Sequence, residues 1–228
     1  MARINRTKQE IIGVSSKLFL EKGYSETSPK MICDELGIST GNLTYYFPTK
    51  EHLLSELVKL LCGYQYDILV KEANDGISEV LAVCLELATM VAASESDEAI
   101  KDFFLASYSN KLCLDIIRKN DAARARKVFK EYCPDWSDEQ FAEAEILVSG
   151  IEFATFMTTD DAVDIETRIA GALHNILGIY GVPKEVRDIK IKKVFAMDYK
   201  VMGKKVLREF KDYVERINEQ IFLEMLKR

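Results

Sequence analysis

Residues 28–50 read SPKMICDELGISTGNLTYYFPTK, and the fold turns on how this stretch is punctuated. Ser28 before Pro29 is the pattern of an N-cap followed by a first helical residue, where a missing amide proton costs nothing. The spacing then predicts a short helix over 29–36 with Ile32, Cys33 and Leu36 on one face. Gly37 offers the positive φ that turns the chain, Ile38 can plug the corner between two helices, and Ser39 can cap the next one. A second short helix, 40–46, turns Leu43 and Phe47 inward. It leaves Thr40, Asn42, Thr44 and Tyr45 facing out, with Tyr46 at the edge, and Pro48 ends the segment. Two short helices, a tight turn with Gly and a polar second helix follow helix–turn–helix grammar.

Working outward, helix 7–22 places Ile11, Ile12, Ser15, Leu18 and Phe19 on one face. Gly23 supplies a left-handed stop, and Tyr24 can fold back onto Phe19. Helical periodicity continues to the end of the chain, with no convincing alternating strand pattern. Further helices are expected over 50–73, 77–93, 97–109, 111–119, 122–131, 138–158, 165–180 and 184–226, the last as one helix or as two broken near Gly203. Pro134 precedes a capping-box pattern, Ser137 with Gln140. Pro183 follows Gly181, where one helix ends and another starts. The first three helices are short and the rest long. The expectation is an all-α chain: a small three-helix module over 1–50, and a larger helical bundle over 51–228 joined to it through helix 50–73.

The net charge of −6 argues against a chain that coats polyanions non-specifically. It is, however, segregated. Residues 1–50 hold seven bases and five acids, residues 51–182 hold 11 and 24, and residues 183–228 hold 13 and 8. Asymmetry of that kind can mark a nucleic-acid-facing end. Cys33, Cys62, Cys84, Cys113 and Cys133 are odd in number, widely spaced and free of any C-x-x-C. With two histidines they predict no metal site and no cofactor, but reduced buried thiols in a cytoplasmic protein. No run of 18 apolar residues predicts a membrane span, and the polar N-terminus has no hydrophobic signal region.

Enzyme chemistry finds no foothold. There is no nucleophile elbow, no metal-binding helix motif and no phosphate-binding Gly loop. The acid pairs Asp97-Glu98, Asp138-Glu139 and Asp160-Asp161 lie near helix starts, where the dipole favours them.

The stretches FLEKGYSETS (19–28) and ICDELGISTGNLTYYFPTKEHLL (32–54) resemble the DNA-binding domain of TetR-family transcriptional regulators, over roughly residues 7–60. Glycines, apolar corner, aromatic pair and the following lysine all fall at family spacing. Thr44 stands where the family commonly has Tyr, and Asn42 where it commonly has Thr. The resemblance implies a ligand-responsive regulator, by family habit a repressor, that binds a palindromic double-stranded DNA operator as a homodimer and answers to a small-molecule effector. An adaptor that kept the fold without ligand-regulated DNA binding is the alternative.

On that reading, the helix N-termini at Ser28 and Ser39 offer amides to phosphates, and Thr27, Thr40 and Tyr46 offer hydroxyls. Gly41 belongs to the same DNA-facing set. Arg3, Arg6 and Lys8 form an unpaired basic arm over 1–8. By resemblance, Lys50 contacts a phosphate; a solvated face is its plain alternative. Asn42 suits a bidentate pair with adenine, the Thr44 methyl suits thymine, and Tyr45 either joins this face or closes the small core. In the body, helices 138–158 and 165–180 are the candidates for a four-helix dimer interface, the second carrying Ala170, Gly171, Ala172 and Gly178; packing within one chain is the competing reading. Met90, Phe104, Tyr108, Phe153, Phe156 and Met157 belong either to the core or to a mostly apolar effector pocket, with Glu152 and His174 as its orienting groups.

Overall fold

The computed structural model describes residues 2–74, 77–157 and 163–226, and the described residues are helical with loops between. In chain order the helices are α1 (Ala2–Lys22), α2 (Pro29–Leu36), α3 (Thr40–Tyr46), α4 (Lys50–Asn74), α5 (Glu79–Ser96), α6 (Glu98–Ser109), α7 (Lys111–Val128), α8 (Asp138–Phe156), α9 (Ile165–Ile179), α10 (Lys184–Ala196) and α11 (Tyr199–Leu226). Among the described residues, no helix is long and apolar enough to cross a membrane.

The local punctuation works as its chemistry dictates. Ser28 and Ser39 accept from the amides of Met31 and Asn42, and Gly37 takes φ 63°. Ser137 and Gln140 form a reciprocal capping box. Gly23 and Gly181 adopt φ 92° and 68°. Ile11, Ile12, Ser15, Leu18 and Phe19 are all buried, and the Tyr24 ring lies 5.3 Å from that of Phe19.

The body is organised around α5, which packs against α4, α6, α8, α9, α10 and α11. A helix apolar on every side belongs in that place: Leu81, Cys84, Leu85, Ala88, Val91 and Ala92 are buried. The α5–α11 crossing is close. A Cβ added to Gly203 would sit 2.8 Å from the Thr89 carbonyl oxygen and 3.2 Å from the Ala92 Cβ. Gly203 therefore does not break the C-terminal segment; it lets α11 lie on α5.

Four expected boundaries change. The C-terminal segment divides at Met197, because Asp198 accepts from the Val201 amide and starts α11. The expected helices 111–119 and 122–131 are one continuous α7. Asn120-Asp121 does not break it, because Asp121 is held one turn on by Arg124 at 3.1 Å. The expected arm over 1–8 is helical from Ala2 as the first turns of α1. Helix 138–158 ends at Phe156; residue 158 and the Asp160-Asp161 pair lie outside the described residues.

The crossing gives a direct test. Gly203→Ala gains helix propensity of about 1 kcal/mol but drives a methyl into backbone that cannot yield, a strain of about 1–3 kcal/mol or more. The expected outcome in thermal denaturation is a midpoint several degrees lower; an unchanged or raised midpoint would remove the close crossing from the account.

Candidate nucleic-acid interface and central cavity

The first surface is built on α3. Leu43 and Phe47 are buried and anchor the helix to the small core, while Thr40, Gly41, Asn42, Thr44 and Tyr45 are exposed. Tyr45 is 73% exposed, so it does not close the core, and it meets the half-buried Tyr46 edge to face at 5.1 Å. The Thr44 hydroxyl donates back to the carbonyls of Thr40 and Gly41 at 3.1 and 3.3 Å. Its polar group is thus occupied, which leaves the methyl as the feature it can offer a partner.

Two expected contacts need correction. Thr27 is fully buried, and its hydroxyl is spent on the carbonyls of Gly23 (2.7 Å) and Leu18 (3.2 Å). It braces the turn after α1 and has nothing to give a phosphate. Arg6 is not an unpaired arm residue, because its Nε lies 2.9 Å from Glu10 one turn along α1. Lys50 is half-buried with its Nζ 4.0 Å from the Tyr24 ring centroid, a cation–π contact. Burial pulls its pKa down, against the pull of Asp102, Glu51 and Glu26. Lys8 lies 5.6 Å from the Phe47 ring, and the Arg3 side chain lies outside the described residues.

This module is gripped by the body. Asp102 of α6 accepts from the amide and the hydroxyl of Ser25, both at 2.6 Å. A Cβ on Gly23 would come within 2.9 Å of the same carboxylate, so only glycine serves there, by φ and by space.

The second feature is a set of three small cavities along α5. An apolar one of about 70 Å³ lies among α4, α5, α6 and α11, walled by Leu61, Leu85, Phe104, Val206 and Phe210. A polar one of about 40 Å³ lies among α5, α7, α8 and α9, lined by Glu86, Asp121, Arg124, Glu145, Glu152 and Tyr180. A third of about 10 Å³ brings in Tyr108. All three are lined by Glu86 and Met90.

The polar cavity concentrates unusual chemistry. Arg124 meets both Glu86 oxygens, at 2.9 and 3.0 Å, and Asp121 at 3.1 Å. Burial disfavours its charge, but the two carboxylates outweigh that and hold it protonated. Glu145 accepts from the Tyr180 hydroxyl through one oxygen, and its other oxygen is buried with no partner. Burial and then Asp121 push the Glu145 carboxyl from an ordinary 4.5 up to about 8, against the opposing effect of Tyr180, Arg124 and Arg118. Glu152, which accepts from the Tyr108 hydroxyl at 2.9 Å, is raised well above the usual carboxylate range by burial, Asp121 and Glu145.

Among the expected pocket residues, Met90, Phe104, Tyr108 and Glu152 line these cavities. Phe156 is buried in a stack on Phe104 at 4.9 Å, a packing role, and Phe153 packs half-buried against the core. Met157 is 54% exposed at the end of α8 and faces no cavity. His174 also lies away from them: its Nε2 is 3.5 Å from Asp188 near the surface, because α10 packs on that side of α9. The α4 and α11 walls and the Asp121–Arg124 and Glu145–Tyr180 pairs were not expected. One available signal was the spacing of Glu145 and Glu152, two turns apart on one face of an apolar helix.

Residues 11–57 match the family described as "Bacterial regulatory proteins, tetR family". Similar proteins include the HTH-type transcriptional regulator QacR of Staphylococcus aureus (strain Mu50 / ATCC 700699), 40% identical over 53 residues, which are 23% of this chain and 28% of QacR. The uncharacterized HTH-type transcriptional regulator YuxN of Bacillus subtilis (strain 168) is 44% identical over 57 residues, 25% of this chain and 18% of YuxN. The HTH-type transcriptional repressor KstR2 of Mycobacterium tuberculosis is 30% identical over 57 residues, 25% of this chain and 28% of KstR2. These matches span between 18% and 28% of each relative's length. Among solved structures, a gamma-butyrolactone receptor (ArpA-like protein) aligns over 92% of this chain and 100% of its own, with TM-score 0.44 and 16% identity.

The buried acids make stability depend on pH. A carboxyl whose pKa is raised on folding contributes most where it is protonated in both states, and that contribution is lost as pH rises through its folded value. For Glu145 the window runs from about 4.5 to about 8, and Glu152 acts in the same direction. Chemical denaturation should therefore show stability falling as pH rises from 5 to 8, with a shallower fall in Glu145→Gln. Identical slopes in the two proteins would contradict the assignment.

Proposed function

From the match of residues 11–57 to the tetR family of bacterial regulatory proteins, we propose that this chain is a ligand-responsive, DNA-binding transcriptional regulator. On this reading it is a cytoplasmic repressor that holds a two-fold operator as a homodimer and is released by a small, mostly apolar effector. The observation that carries the proposal is α3: a helix capped at Ser39, anchored by buried Leu43 and Phe47, with Thr40, Asn42, Thr44 and Tyr45 exposed side by side. A helix so presented fits the major groove.

In this reading residues 1–50 bind DNA and residues 51–228 bind effector and partner. The amides at the α2 and α3 N-termini, the Thr40 and Tyr46 hydroxyls, Lys8 and Lys50 position the module on phosphates. Lys50 would leave the Tyr24 face as it engages. Asn42 and the Thr44 methyl read base edges.

The homodimer is proposed through α8 and α9. On α8 the exposed residues include Ile146 and Leu147, 53% and 59% exposed, and Gly150, which has open space where its Cβ would be. Gly171 of α9 is likewise open. The other small residues of α9 serve the chain itself: Ala172 is buried, and the Arg187 guanidinium fills the space beside Gly178.

Coupling between effector and DNA follows from α6 as well as α4. Asp102 clasps the turn at Ser25, and Phe104 and Tyr108 of the same helix line the cavities. Six residues separate clasp and Tyr108, about 9 Å along a helix. A ligand that displaces α6 or α4 would bias the separation of the two reading helices, and would release DNA by as much as it prefers the displaced state.

The test is a titration of DNA from upstream of the chain's own gene, followed by fluorescence anisotropy. Tyr46→Ala and Lys50→Ala should each weaken binding about tenfold, and Lys50→Ala should reduce the salt dependence by about one counterion. Asn42→Ala should relax preference at one base pair, by about 1–3 kcal/mol. Unchanged binding in all three folded variants would sink the proposed surface. A parent chain that binds no DNA would favour an adaptor that kept the fold alone.

A further inference from the structure

The polar cavity holds an imbalance that its own residues do not resolve. Glu86, Asp121, Glu145 and Glu152 line it, and Arg124 is the one basic residue among its lining side chains. Arg124 is already committed to Glu86 and Asp121. Glu152 accepts from the Tyr108 hydroxyl and otherwise shares the Arg124 charge with Glu86 and Asp121. Glu145 is 2% exposed, yet one of its carboxylate oxygens has no hydrogen-bond partner. A buried carboxylate left so either keeps a proton or meets a cation. The apolar cavity adjoins at Glu86 and Met90, between α5 and α11.

We propose that these joined cavities take an amphipathic organic cation, its charged head among Glu86, Glu145 and Glu152 and its apolar tail between α5 and α11. This deepens the effector reading above, on which it rests, by naming the chemical class of the ligand. An ammonium or amidinium head supplies donors to the Glu145 oxygen that lacks one, and takes the place of a proton on the raised carboxyls. The tail meets Leu85, Phe104, Val206 and Phe210, which offer contact area and no hydrogen bonds. An anionic head in the same place would face four acidic side chains with Arg124 already paired.

Proton replacement gives the binding a pH signature. The groups facing the head are Glu86 on α5, Tyr108 on α6, Asp121, Arg124 and the nearby Arg118 on α7, Glu145 and Glu152 on α8, and Tyr180 after α9. Burial pushes the Glu145 carboxyl up to about 8 and raises that of Glu152 well above the usual carboxylate range. A cation must therefore displace protons that a neutral ligand leaves in place.

The experiment uses the full chain without DNA and three probes of one chain length: hexylammonium, hexan-1-ol and hexanoate. Binding is followed by calorimetry and by the fluorescence of the single tryptophan, Trp136, whose ring lies 6.0 Å from that of Tyr180. Hexylammonium should bind at least tenfold more tightly than either control, and more tightly at pH 8 than at pH 6. Glu145→Gln should remove most of that preference while the helical circular dichroism stays that of the parent, which separates loss of the head site from loss of fold. Equal or tighter binding of hexan-1-ol or hexanoate would overturn the cationic class and leave an effector site in place. Binding of none of the three would overturn the proposal, while the DNA titration above would still stand or fall by itself.

Discussion

Asp102 ties the two parts of the chain together. Its carboxylate accepts from the amide and hydroxyl of Ser25 at 2.6 Å, so the turn between α1 and α2 is fixed by a residue of α6, far away in sequence. The charge-assisted pair is stronger than neutral hydrogen bonds, and it requires a glycine at position 23 for both conformation and space. Beside it, Tyr24 stacks on Phe19, reaches Glu51 through its hydroxyl and carries Lys50 on its ring. The orientation of the α2–α3 pair is thus a property of the body as much as of the first 50 residues. A change in the position of α6 or the start of α4 must be felt there.

The body is held by two unlike devices. One is apolar and close-packed: α11 lies on α5 at Gly203, nearer than any side chain would allow. The other is ionic and incomplete: Arg124 joins Glu86 to Asp121, while Glu145 and Glu152 share the space with tyrosine hydroxyls. Buried ionic groups rarely add net stability over a well-packed apolar core. Four carboxylates gathered around one arginine are the kind of perturbed cluster that concentrates at functional sites.

Much of the α2–α3 module was legible in sequence because each signal there is local. Ser28-Pro29, Gly37, Ser39 and the Leu43/Phe47 pair specify caps, turn and inward face within a few residues, and the structure uses each for that purpose. The misreadings share a different cause. Thr27 looked like a free hydroxyl because its acceptors, Leu18 and Gly23, are brought to it only by the fold of the turn. Asn120-Asp121 looked like a break because its partner Arg124 holds it only within the finished helix. His174 looked like a pocket residue because it lies on an apolar helix, but which side of that helix meets α10 is a tertiary fact. Gly203 looked like a hinge and is a contact. The acid cavity draws on α5, α7 and α8, and no spacing rule joins residues so far apart.

These features converge on a proposed division of labour, in which the exposed, capped α3 reads DNA and the acid-lined cavity along α5 takes the effector. The most direct measurement is selection from a random-sequence duplex library by the full chain at physiological salt. The account predicts enrichment of an inverted repeat whose two half-sites carry the same base preferences, with one preference lost when selection is repeated with Asn42→Ala. Failure to enrich any sequence, or enrichment of one that Asn42→Ala leaves unaltered, would contradict it.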